Sequence, residues 1–440
     1  MSDSTQKNFL EKLFKLKENN TNIKTEIIAG ITTFMTMSYI LAVNPAILSE
    51  AGMDKGGVFT ATILASVIAT VMMGIYANHP FALSAGMGLN AYFAYTVVLQ
   101  KGNSWQFALT AVFIEGIIFL IMSLFKMREK IFNSIPMTLK KAVSVGIGLF
   151  IAFIGLSGSQ IVVQGKGVPL TLGNLLTPGV AVTVFGLIVT GVLLHKKIKG
   201  AILYGIILST ILAIIVGIAS LPEKVISIPP SVMPVAMKME WSKVFTIDMA
   251  VTVFAFLFVD VFDTIGTLIG VSTKANMLDK DGNFPRVGKA LLSDAVGTTV
   301  GAILGTSTIT TYVESSAGVS EGGRTGLTAI ITSALFMLSL FLAPLFTMIP
   351  AQATAPALIL VGLFMMSPIR EIDFSDYTEA IPAFLTIVMM PFAYSIAQGI
   401  VFGMVSYVIL KVLSGKFKDV SILMYILGIL FIAEIILSNI

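Results

Sequence analysis

The chain has 440 residues, of which 56% are hydrophobic and only 12% charged, against roughly 25% charged in an ordinary soluble domain. A mean hydropathy of +0.92 over that length exceeds what a single anchor of about 20 residues supplies, so a soluble protein is excluded and the whole chain is expected in a bilayer. The lack of cysteine, with only His79 and His195 as histidines, excludes disulfides, thiolate sites and histidine-rich zinc centres.

Met1 to Lys24 is polar and mixed in charge, has no signal-peptide core, and reads as a cytoplasmic tail. Apolar runs bounded by Pro, Gly and charge predict spans at Ile27–Val43, Val58–Tyr76, Phe81–Leu99, Trp105–Phe125, Leu139–Leu156, Gly179–Leu194 and Ala201–Gly217. A Pro-containing loop from Leu221 to Ile247 separates them from a second set. That set comprises Asp248–Val271, Val287–Leu304, Thr308–Val319, Leu327–Thr347, Ala353–Met366, Ala380–Tyr394 and Ala397–Leu413. The apolar tail Ser421–Leu437 is left over, either as an additional span or as the true last one.

With the N-terminus cytoplasmic, 22 of the 28 Lys and Arg residues fall on inside loops and six outside, as the positive-inside rule requires. The net charge of +4 is thus orientation charge, and nucleic acid is excluded as a partner. Seven spans per half make the halves enter from opposite faces. The expected fold is an all-α polytopic membrane protein of about 14 transmembrane segments in two inverted seven-span repeats, with short extended segments in spans 3 and 10.

In such repeats, ligands bind at interrupted spans in matching positions. In span 3, Phe81 to Asn90 (FALSAGMGLN) is broken by Gly86 and Gly88 and preceded by Pro80. In span 10, the run Thr308 to Val313 is β-branched or aromatic throughout and favours extended chain, with a helix expected from about Glu314. Extended backbone at membrane depth requires a covering protein or a cavity. Carboxylates point to the same place. Asp260, Asp263, Asp294 and Glu314 together would cost roughly 10 to 14 kcal/mol if left unpaired in lipid. Asp260, Asp263, Thr264 and Thr267 form one polar stripe at helical spacing. Glu115 reads as an acid satisfied by a neighbouring helix, and Gly146 and Gly148 as close-packing positions.

The segments GITTFMTMSYILAVNP (Gly30 to Pro45), GMGLNAYFAY (Gly86 to Tyr95), FVDVFDTIGTL (Phe258 to Leu268) and GTSTITTYVESSAGV (Gly305 to Val319) resemble the azaguanine-type purine permeases of the xanthine, uracil and purine permease superfamily. The resemblance implies core segments at 27–126 and 248–347, gate segments at 137–217 and 350–440, and a cytoplasmic tail at 1–26. It also implies purine uptake by proton symport across the plasma membrane, with a homodimer through the gate domain. Carried over onto this chain, the substrate-binding residues are Asn90, Asp260 and Glu314, and Asp263 is the proton site. Ser315 stands where uracil and xanthine relatives have asparagine after the acid, which disfavours those substrates.

On these residues, a purine is expected to give ring N–H groups to Glu314 and Asp260, meet the Asn90 amide and pack on Tyr312, with Thr311 and Ser315 alongside. Asp263 is mid-helix and lacks the dipole that favours an anionic Glu314, so it is the better proton carrier, with Asp294 beside it. No cofactor is expected beyond the coupling proton, sodium being the alternative. A xanthine/uracil or anion transporter of the same fold and, more weakly, an intramembrane aspartyl protease are the competing readings. The protease is disfavoured because Asp260 and Asp263 share one helix and no GxGD-like sequence is present.

Overall fold

The computed structural model describes residues 10–125, 134–274, 277 and 286–437. Lys7, Lys126, Arg128, Lys130 and Lys280, counted above among inside charges, lie outside these residues. Helix α1 (Ile23–Met37) starts before the apolar run because the Asn22 side chain caps it, accepting from the Thr25 N–H at 3.0 Å. The expected tail is not free either: Phe14 and Leu16 are buried against Leu327. Helix α2 (Ile40–Glu50) continues the span after a break at Ser38 and Tyr39, and within it Pro45 lacks the N–H that the Leu41 carbonyl would accept. Helix α3 (Lys55–Met72), capped by Asp54, passes into a π-helical segment, Met73–Ala77.

The next span is interrupted, as its glycines predict. It contains strand β1 (Leu83–Ala85), helix α4 (Met87–Ala91) and a π-helical segment, Tyr92–Gln100. Helices α5 (Trp105–Leu124) and α6 (Met137–Gly158) follow, then a small hairpin of β2 (Val162–Val163) and β3 (Thr171–Leu172), then α7 (Pro178–His195) and α8 (Ala201–Ile215). Helices α9 (Ile247–Lys274) and α10 (Val287–Leu304) precede the second interrupted span, β4 (Ile309–Thr311) and α11 (Ser315–Ser320). The chain closes with α12 (Gly326–Ser339), α13 (Ala343–Thr347), α14 (Ala351–Met365), α15 (Tyr377–Phe392), α16 (Ile396–Leu413) and α17 (Ile422–Leu437). Among the described residues, nine helical segments are long and apolar enough to cross a membrane, accompanied by shorter apolar helices at 201–215, 377–392 and 422–432. The leftover apolar tail is therefore helical, and it packs on α16.

Helix packing falls into two groups. In one, α12 lies against α1 and α3, and α10 against α3 and α5, with α9 on α5; in the other, α14 lies against α6, α7 and α8, and α15 against α6 and α16. Small residues set the closest crossings, which in lipid depend on van der Waals fit. A Cβ on Gly148 would come within 2.5 Å of the Gly362 carbonyl oxygen, and one on Gly146 within 2.6 Å of the Met390 sulfur. The expected outcome of Gly148→Leu is separation of α6 from α14 and a fall of about 10 °C or more in detergent Tm, read by fluorescence-detected chromatography after heating; such backbone clashes rank among the large destabilisations.

Candidate functional site

The two interrupted spans meet. β1 and β4 pair antiparallel, with Leu83 opposite Thr311, Ser84 opposite Thr310 and Ala85 opposite Ile309. The Gly86 N–H donates to the Thr308 carbonyl and the Tyr312 N–H to the Ala82 carbonyl, both at 3.0 Å. The strand proper is thus shorter than the β-branched run, although its pairing extends further. A two-stranded ladder leaves alternate backbone groups unserved. Thr70 of α3 serves Leu83, giving its hydroxyl to the carbonyl at 3.1 Å and accepting the N–H at 2.9 Å. Thr298 of α10 does the same for Ile309, at 3.0 and 3.3 Å. Sequence reasoning missed both threonines, since each lies on a helix with nothing local to mark it.

The acids lie on the elements packed around this ladder. Asp260 and Asp294 are completely buried, whereas Asp263 and Glu314 keep some accessible surface. The Thr264 hydroxyl reaches Asp260 Oδ1 at 2.7 Å and Asp294 Oδ1 at 3.1 Å. That hydroxyl has a single hydrogen, so the second contact is a hydrogen bond only when its carboxyl carries a proton. Asp263 lies in the electrostatic reach of both Asp294 and Glu314, with the Thr310 side chain close to it. Asp263 therefore links the Asp260–Thr264–Asp294 group on one side to Glu314 on the other.

Glu314 stands at the start of α11, where a helix was expected to begin. The Tyr39 hydroxyl donates to its Oε1 at 2.6 Å. Tyr39, at the break between α1 and α2, is a site residue that the sequence reading missed; the only signal was the nearby Pro45. Asn90 lies on α4 rather than in the extended part of its span. Its Oδ1 accepts the Ser307 hydroxyl, while its Nδ2 is fully buried with no hydrogen-bond partner among the described residues. The Thr311 hydroxyl is likewise buried and unpartnered among those residues. Two other expected contacts are engaged by protein. The Tyr312 hydroxyl donates to the Ala85 carbonyl, and Ser315 Oγ accepts the Ala82 N–H at 3.0 Å. Both stitch one broken span to the other. Glu115 Oε2 accepts the Thr308 hydroxyl at 2.8 Å, a partner just before β4 and not on the neighbouring helix that was expected.

One buried acid at the margin of the bundle escaped notice. Glu26 is fully buried in α1, and its carboxylate accepts N–H groups from Arg324 at 2.9 Å, Thr325 at 3.3 Å and Thr328 at 3.1 Å, plus the Thr328 hydroxyl at 2.6 Å. It supplies the acceptor that the N-terminus of α12 needs.

Residues 24–402 match the family described as Permease family (Xan_ur_permease). The putative permease MJ0326 of Methanocaldococcus jannaschii is 50% identical, covering 96% of this chain and 97% of its own. The adenine permease AdeP of Escherichia coli K12 is 42% identical, covering 97% and 96%. The guanine/hypoxanthine permease PbuG of Bacillus subtilis is 44% identical, covering 96% and 98%. In fold, the chain is similar to the transmembrane domain of the cyanobacterial bicarbonate transporter BicA, with a TM-score of 0.65 at 16% identity over 87% of this chain and 97% of that one. Nearly full-length matches to permeases, with the multiple apolar helices, identify the chain as a multi-pass membrane protein of the Permease family, a transporter rather than an enzyme.

Proposed function

We propose that this permease imports purine nucleobases, namely hypoxanthine, guanine or adenine, by proton symport across the plasma membrane, with its N-terminus in the cytoplasm. The observation that carries the reading is the buried Asn90 Nδ2, unpartnered among the described residues, on a broken span whose partner span bears Glu314. A buried polar group without a partner costs about 1 to 3 kcal/mol, and the carbonyl of hypoxanthine or guanine, or a ring nitrogen of adenine, supplies what it lacks. Glu314 and Asp260 accept ring N–H groups, Thr311 adds a hydroxyl, and Asp263 with Asp294 holds the coupling proton. Protonation of Asp263 relieves its repulsion with Glu314, so proton and purine favour one another's binding reciprocally.

The chain works as 14 spans in two inverted repeats, α17 being additional. Supporting this, exchanging the halves turns the α3–α12 contact into α10–α5 and the Thr70–Leu83 pair into Thr298–Ile309. The first packing group is the core and the second the gate, and transport is a movement of one against the other. A homodimer forms through the gate. The likeness to a bicarbonate transporter is one of fold; an anion would meet the repulsion of four carboxylates.

The test is uptake of labelled adenine, guanine, hypoxanthine, xanthine and uracil in cells stripped of their own permeases. Accumulation of at least one of the three named purines is expected, with Glu314→Gln reducing it about tenfold or more, since hydrogen bonds to a charged group contribute about 1.5 to 3 kcal/mol. Uptake of none of the three, or full uptake by Glu314→Gln, overturns the reading.

A further inference from the structure

A cavity lined by none of the four acids lies at the end of the bundle that the topology proposed above places outside. It has a volume of about 380 Å³ and is lined by Glu50, Tyr95, Leu99, Gln100, Ile154, Ser157, Gly158 and Tyr394, within the roughly 300 to 1,000 Å³ of ligand pockets. Its walls come from both packing groups: the end of α2 and the π-helical segment on one side, the end of α6 and the α15–α16 link on the other. The two walls are tied together. Thr96 Oγ1 donates to the Tyr394 carbonyl at 3.1 Å and Gln100 Nε2 to the Ala393 carbonyl at 3.0 Å.

Tyr394 is held in the left-handed backbone region, at φ +54°, which a bulky residue adopts rarely and at a cost. The surroundings fix it there, with ring centroids 5.4 Å from Phe150, 5.8 Å from Phe153 and 6.1 Å from Tyr95. The Tyr95 side chain in turn lies close to Glu50, and both line the cavity. Two tyrosines, one carboxylate and one carboxamide around a single hollow offer aromatic surface for a flat ring and an acceptor for its N–H groups.

We propose that this cavity is a second, outer binding site for the same planar nucleobase, which Glu50 holds by a ring N–H before the base passes to the central site. The proposal rests on the purine reading above. The chain contains no cysteine, so Ser157→Cys places a single thiol in the cavity wall. Its modification by a charged, membrane-impermeant methanethiosulfonate is timed with and without hypoxanthine, in the otherwise native chain and with the central site disabled by Asp260→Asn and Glu314→Gln.

Hypoxanthine is expected to slow modification in both backgrounds, and adding Glu50→Gln to raise the half-protecting concentration about tenfold. Protection that vanishes when the central site is disabled means that the thiol only senses central occupancy, and overturns the proposal. So does an absence of protection in a chain that transports hypoxanthine. Asn90→Ala, which leaves every acid in place, provides a second background should the double variant not fold. Where the unmodified chain accumulates guanine or adenine instead of hypoxanthine, that base is the probe in the same protocol with the same expected and overturning outcomes; uptake of none of the three strikes the purine reading instead.

Discussion

Replacing Asp263 by asparagine is expected to leave hypoxanthine binding within a few-fold of the parent while abolishing uphill accumulation. One proton moving down about 100 mV supplies roughly 2.3 kcal/mol, equivalent to about fifty-fold accumulation of a neutral base. A chain whose proton carrier is permanently neutral retains facilitated flux and comes to equal concentrations inside and out. Asparagine is close in size to aspartate and keeps an acceptor oxygen beside the Thr310 side chain. It also keeps the relief of repulsion that protonation would bring to Glu314, which is why binding survives. The measurement is counterflow against net uptake in proteoliposomes with an imposed pH gradient. Counterflow persists and gradient-driven uptake disappears. Full accumulation by the variant would remove Asp263 from its role.

Replacing Glu26 by alanine is expected to cost more than any change at the central site, and to cost it in folding. The carboxylate serves four donors, three of them backbone N–H groups of the 324–328 turn. A buried donor left without an acceptor costs about 1 to 3 kcal/mol, and three backbone N–H groups lose theirs at once, a large share of a domain's net stability. The crossing has no slack, because a Cβ on Gly326 would collide with the Gly74 backbone, and the donors therefore have no room to recruit another acceptor. Membrane-inserted, monodisperse protein should fall severalfold for Glu26→Ala and be partly restored by Glu26→Gln, whose carbonyl keeps an acceptor in place. A fully stable Glu26→Ala would show that water serves the turn equally well.

These two acids also show where the sequence is legible. Asp263 stands out because a carboxylate in an apolar 28-residue helix needs an explanation, and the β-branched or aromatic run from Thr308 to Val313 reads as extended chain for the same local reasons that make its middle, Ile309–Thr311, a strand. Glu26 was invisible, since it adjoins Lys24 at the edge of an apolar run, and its partners lie some 300 residues away in sequence. The same holds for Tyr39, Thr70 and Thr298. Each is an ordinary helix-compatible residue whose role comes from a strand or carboxylate of another span. Periodicity reports which face of a helix avoids lipid; it carries no information about which groups that face will meet. The pairing of β1 with β4 was equally out of reach, because both segments read as extended without any local signal of register.

The central claim is that a nucleobase sits between the two broken spans, where Asn90 and Glu314 supply what its edge requires. A structure determined with hypoxanthine bound tests it most directly. The account predicts planar density within hydrogen-bonding distance of Asn90 Nδ2 and a Glu314 carboxylate oxygen, whether or not the outer cavity is also filled. Density for the base elsewhere, with Asn90 Nδ2 still unpartnered, would contradict it.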